Sequence, residues 1–197
     1  MTADDLAARI AALPGARTLT AVAGPPASGK STLAAAVAER LGEVGALVPM
    51  DGFHLDDRVL GPRGLLPRKG APETFDLGGL ARTLGALRAG GEVFVPLFDR
   101  AREIAVAAAG VVPVRARHVV VEGNWLLLDR PGWRELGPWD LTVMLRVGDD
   151  ALRARLAERW AHLPPPASRA KIDGNDLPNA ALVRDASRAA DVAFDHG

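Results

Sequence analysis

Apolar residues near the start of the chain recur at helical spacing: Leu6, Ile10 and Leu13 form one stripe. Thr2 is placed to cap that helix, Asp4 and Asp5 suit its first turn, and Pro14-Gly15 ends it. The period then shortens. Thr18-Leu19-Thr20-Ala21-Val22-Ala23 is a β-favouring run, and Gly45-Ala46-Leu47-Val48-Pro49-Met50 reads as a second short, buried strand. The β-branched run Arg117-His118-Val119-Val120-Val121-Glu122-Gly123 predicts the clearest core strand. Leu141–Val147 predicts another, and Asp191-Val192-Ala193-Phe194 a short last one. Helical spacing occupies Ser31 to about Leu41, Leu77 to Ala89 through Leu80, Leu84 and Leu87, and 149–162. Residues 58–76, rich in Gly, Pro and Arg, predict an ordered surface excursion, and Pro164-Pro165-Pro166 a break. Val93–Phe98 and Ile104-Ala105-Val106 predict either a hairpin or two short edge segments. Strands alternating with helices predict an α/β fold, with a mainly parallel sheet covered on both faces.

One loop changes this from a fold to a site. Residues 24–31 read Gly-Pro-Pro-Ala-Ser-Gly-Lys-Ser, matching the phosphate-loop pattern G-x-x-x-x-G-K-[ST] between a strand and a helix. A chance Gly/Pro/Ser turn before a helix is the alternative. The architecture expected is a P-loop NTPase-type three-layer sandwich. Backbone amides of such a loop and the helix N-terminus attract phosphate. Gly24, Pro25, Ala27, Ser28, Gly29, Lys30, Ser31 and Thr32 are therefore the expected triphosphate-binding residues, with Gly24 and Gly29 supplying backbone angles that a Cβ would obstruct. Lys30 is expected at the β- and γ-phosphates and Ser31 on Mg²⁺.

The acids narrow the chemistry. Asp51 directly follows a predicted strand and faces the ligand crevice of an open parallel sheet, where it can act as general base; it also suits a turn before Gly52. Glu122, ending its own apolar strand, is the candidate metal acid beside Ser31, or else a cap for the next segment. Helix 149–162 followed by prolines predicts a mobile lid over about 150–175. Arg155 and Arg159 share a face of it as candidate phosphate clamps, though spacing does not separate them from Arg153, and a solvated face is the alternative. Lys+Arg and Asp+Glu each total 24, so the neutral chain argues against a nucleic-acid surface. No apolar stretch reaches the ~20 residues of a membrane span, and there is no cysteine for a disulfide, thiolate metal site or nucleophile. Length suits a single domain over 1–197, expected in the cytoplasm.

Gly24–Ser31, Asp51-Gly52-Phe53-His54, Pro72-Glu73-Thr74-Phe75-Asp76, Phe98-Asp99-Arg100, Val121-Glu122-Gly123-Asn124 and Asn175-Asp176-Leu177-Pro178-Asn179 occur in order. Together they resemble the phosphoribulokinase/uridine kinase/bacterial pantothenate kinase superfamily. Within it the likeness is to nucleoside/nucleotide kinase-like proteins, some named as fructose-transport-associated sugar kinases. The resemblance implies ATP-dependent phosphorylation of a small-molecule hydroxyl, with Mg²⁺, and Asp51 as base. It implies an acceptor held by Asp99 and Arg100, with His54, Phe75 and Glu122 nearby, and places Asn175 near the adenine. Dimers are common in the superfamily. Gly52 and His54 depart from the uridine kinase pattern, and the chain has no tyrosine to hold a pyrimidine. A nucleotide hydrolase or a nucleotide-gated regulatory module are the other readings of the same loop.

Overall fold

The computed structural model describes residues 1–195. The elements run α1 (Ala3–Ala11), β1 (Thr18–Ala23), α2 (Lys30–Leu41), β2 (Gly45–Pro49), α3 (Asp57–Leu60), α4 (Leu77–Ala89), β3 (Val93–Asp99), β4 (Ile104–Val112), β5 (His118–Glu122), β6 (Leu141–Arg146), α5 (Asp149–Arg159), α6 (Pro165–Lys171), α7 (Leu177–Ala186) and β7 (Val192–Asp195). Five strands form one parallel sheet in the order β2-β5-β1-β6-β7. β1 is central and buried along its whole length, because both sheet faces are covered.

The period-two alternation of β1 and β5 divides the core. Leu19, Ala21, Val119 and Val121 meet Leu80, Leu84 and Leu87 of α4, the Trp125–Leu128 stretch and Val183 of α7. Val22 and Val120 point the other way, onto Leu6 and Ile10 of α1 and Leu33, Val37 and Leu41 of α2. The α/β three-layer expectation holds.

β3 and β4 form a hairpin apart from the main sheet, with a register shift at Pro96, which cannot donate to the ladder. Gly52 lets this hairpin sit against the turn after β2: a Cβ there would lie 2.1 Å from the Pro96 carbonyl oxygen. Arg17, only 6% exposed, ties the hairpin base to the sheet. Its guanidinium donates to the carbonyls of Ala116 (2.7 Å), Gly91 (2.8 Å), Pro113 (2.9 Å) and Val114 (3.1 Å).

The excursion over 58–76 is ordered as short helical turns. The helix expected to form the lid, α5, stops at Arg159 rather than 162, and α6, a π-helical turn (Ile172–Asp176) and α7 follow where the sequence predicts only a break. Among the described residues no helix is long and apolar enough to cross a membrane.

Candidate functional site

The N-terminus of α2 differs from those of α1 and α4. Thr2 and Asp5 cap α1 reciprocally and Asp76 caps α4. α2 begins on Gly29 with no side-chain cap and no acid in its first turn. Its leading amides and positive dipole end are thus free for an anion. Gly29 adopts φ 89°, the left-handed region favouring glycine. Gly24 is needed for space rather than backbone angle, since a Cβ would meet Ser28 Oγ at 2.8 Å and Leu145 Cβ at 3.0 Å. Ser28 is fully buried behind the loop.

Register gathers the acids at the same edge. Val22 of β1 and Pro49 of β2 both pair with Glu122 at the tip of β5, and Asp51 lies two residues past Pro49. Lys30, Ser31, Thr32, Ala27 and Gly29 share one cavity of about 430 Å³ with Asp51, His54, Phe75, Arg100 and Arg159. Asp51 accepts from Arg100 Nη2 at 2.6 Å. Burial pushes the Asp51 carboxyl up, but the positive potential of His54, Lys30, Arg100 and Arg159 prevails and holds it below 3.8. Burial raises Glu122 above 4.5 despite Lys30. The Ser31 hydroxyl acts the other way, drawing the Glu122 pKa down, yet Glu122 Oε2 is buried with no donor among the described residues.

His54 Nδ1 lies 2.8 Å from the Asp51 carbonyl oxygen. That oxygen only accepts, so Nδ1 carries the proton. Burial draws the ring's pKa below 6.5, so it is neutral at pH 7 and Nε2 is an acceptor. Phe75 and Phe98 pack against the ring in tilted arrangements, with centroids 4.1 and 4.8 Å away. On α5, Arg155 Nη1 donates to the Ser28 carbonyl oxygen of the phosphate loop at 3.3 Å. Arg159 lies over the Trp160 ring at 5.2 Å and lines the cavity, whereas Arg153 does not line it. A second groove, of about 330 Å³, lies across Pro25 between β6, α5 and α7, lined by Met144, Val147, Leu152, Val183, Arg184 and Arg188 among others.

No family model matches the chain. Among curated proteins it is similar to the "Uncharacterized protein YggC" of Escherichia coli (strain K12), 39% identical over 152 residues, covering 74% of this chain and 63% of that protein. It is also similar to the "Putative uridine kinase C227.14" of Schizosaccharomyces pombe, 36% identical over 156 residues, covering 73% of this chain and 66% of that one. The chain thus spans just under two thirds of these curated relatives. Among solved structures, the "putative fructose transport system kinase" from Silicibacter sp. TM1040 is 46% identical and superposes with TM-score 0.91, over 98% of this chain and 99% of that one. The chain belongs to the phosphoribulokinase/uridine kinase/pantothenate kinase superfamily of P-loop kinases.

Each motif that carries the superfamily resemblance contributes to the cavity, but Gly24, Pro25, Ser28, Asp99, Glu122 and Arg155 are not among its lining residues. Asp99 is not among the cavity-lining residues: its Oδ1 accepts from the amides of Ala101 and Arg102, both at 3.0 Å, and so closes the hairpin turn that presents Arg100. Pro25 lines the second groove. Asn175, expected by the adenine, lines the same cavity as Asp51 and donates to the Lys69 carbonyl oxygen at 2.8 Å. The π-helical turn, a local insertion common at functional sites, carries it there. Asp176 and Asn179 of the same motif line the cavity as well, with the acceptor-side residues rather than in a separate adenine site, and sequence reasoning missed Trp160 and Lys171 on its wall. For Asn179 the i, i+4 spacing from Asn175 was the available signal, masked by Gly174 and Pro178, which read as a turn.

Proposed function

We propose that the protein is an ATP-dependent kinase that transfers the γ-phosphoryl group to a hydroxyl of a small molecule, sugar or nucleoside-like. The observation that carries this reading is the uncapped α2 N-terminus with Lys30, opening on the same cavity as the ionised Asp51. On this reading the loop amides and Lys30 hold the β- and γ-phosphates. The purine sits in the groove across Pro25, whose wall offers apolar Met144, Val147 and Leu152. Arg188 Nε and Nη2 there have no acceptor among the described residues and suit ring nitrogens.

Asp51 orients the acceptor hydroxyl and takes its proton as the O–P bond forms and the bond to the β–γ bridging oxygen breaks. Its low pKa keeps it ionised throughout the neutral range, so its part is orientation and late proton acceptance. Arg159 and Arg155 balance charge on the transferring group from the lid. The donor set fits a divalent cation, because the Ser31 hydroxyl lies beside a buried carboxylate oxygen that lacks a partner. Ser31 and Glu122 would hold Mg²⁺, which supplies Lewis-acid neutralisation of phosphate charge.

The test is ATP consumption with Mg²⁺, with and without a panel of sugars and nucleosides, read together with product mass. A kinase shows slow background turnover and acceptor-stimulated ADP release with a phosphorylated product. Equal turnover with and without every acceptor would establish a hydrolase. ATP binding with no turnover would establish a regulatory module.

A further inference from the structure

The cavity holds polar groups that phosphate binding leaves unused. The Lys69 carbonyl oxygen can only accept, so the Asn175 amide that donates to it is fixed in orientation and turns Oδ1 toward Asn179. Asn179 Nδ2 donates to that oxygen at 3.2 Å. The second bond fixes Asn179 in turn and leaves its Oδ1 as a buried acceptor with no donor among the described residues. Asn179 is 1% exposed and lines the cavity. Asn124 Oδ1 is a second buried acceptor without a donor, and Asn124 also lines the cavity. Its neighbour Trp125 donates to the Gly70 carbonyl oxygen at 3.0 Å, one residue from the Lys69 carbonyl that Asn175 holds.

Buried acceptors without donors are destabilising until a ligand supplies them. Hydroxyls do so; a carboxylate or phosphate brings only further acceptors. The cations on this side are already paired. Lys69 Nζ holds Asp57 at 2.7 Å and lies 3.8 Å from Glu103, and Arg100 holds Asp51. Arg159 and Lys171 flank the Trp160 ring on the lid, at 5.2 and 5.6 Å.

We infer that the acceptor is an uncharged polyhydroxyl compound whose hydroxyls donate to Asn179 Oδ1 and Asn124 Oδ1, with Asn175 as the positioning residue that aims Asn179. The inference rests on the kinase reading and narrows it. The experiment offers wild-type protein matched pairs with ATP and Mg²⁺: fructose and fructose 6-phosphate, glycerol and glycerate, uridine and uridine monophosphate. At least one neutral member should be phosphorylated with kcat/KM at least tenfold above its charged counterpart. Asn179→Leu and Asn124→Ala should each raise the acceptor KM about tenfold, the effect of one lost hydrogen bond, while the ATP KM stays within twofold. Asn175→Leu should raise the acceptor KM by the same route, again without moving the ATP KM. Preference for the charged members, or an unchanged acceptor KM in both the Asn179 and Asn124 variants, overturns the inference and leaves the kinase standing. ATP binding with no transfer to any member overturns both.

Discussion

At the residue scale, the two acids are tuned in opposite directions, and each direction makes a prediction. Asp51 is held low by surrounding positive charge, whereas Glu122 is pushed up mainly by burial. Because folded Glu122 prefers its proton more than the unfolded chain does, its ionisation costs stability as pH rises above 4.5. Glu122→Gln should therefore raise Tm of the ligand-free protein at pH 7, with the gain fading on titration toward pH 4. The same variant should lose most Mg²⁺-dependent turnover; an unchanged or lower Tm at pH 7 would remove the argument. His54 has the opposite linkage for a base. Its folded pKa lies below 6.5, so the neutral ring contributes stability at pH 7 that is lost as pH falls from 6.5 through that lower value. Protonation would also convert its Nε2 from acceptor to donor. Asp51→Asn should cut kcat by about 10²–10⁴-fold with ATP affinity retained, read by steady-state kinetics beside a nucleotide titration.

At the element scale, the hairpin of β3 and β4 delivers Arg100 to Asp51, and two residues set its seat. Gly52→Ala would force a Cβ toward the Pro96 carbonyl oxygen and push the ribbon off the turn. Overpacking of this kind costs about 1–3 kcal/mol, and chemical denaturation should show it together with a fall in kcat. Arg17→Ala would take the guanidinium from the carbonyls of Ala116, Gly91 and Val114, and leave Pro113 only the Ala116 amide. The expected loss is roughly 3 kcal/mol, and Arg17→Lys should recover little of it, since an ammonium cannot span the same fan of acceptors.

Elements whose apolar period is their own were legible in the sequence. The Val119–Val121 strand, the Leu80-Leu84-Leu87 stripe and the phosphate loop all lie where the pattern put them. What escaped depends on tertiary context. The buried Arg17 reads as an ordinary surface arginine, and Asp99 looks like a ligand-binding acid until the turn amides that occupy it are seen. Asn175 and Asn179 share a face only because the chain stays helical past Gly174 and through Pro178, which local signals discourage.

At the scale of the molecule, the site is assembled from segments scattered between residues 26 and 179 at the C-terminal edge of one sheet. A ligand that spans them should stabilise the domain as a whole. At 100 times its Kd a nucleotide contributes about 2.7 kcal/mol, or a Tm rise of roughly 5–11 °C at this chain length. Differential scanning fluorimetry with Mg²⁺-ATP should show that rise, and Lys30→Ala should abolish most of it.

The clasp between Arg100 and Asp51 has a bearing on thrift. A carboxylate already occupied by a guanidinium is a poor proton sink for stray water, so the resting protein would squander little nucleotide before a well-placed hydroxyl comes to share that carboxylate with Arg100.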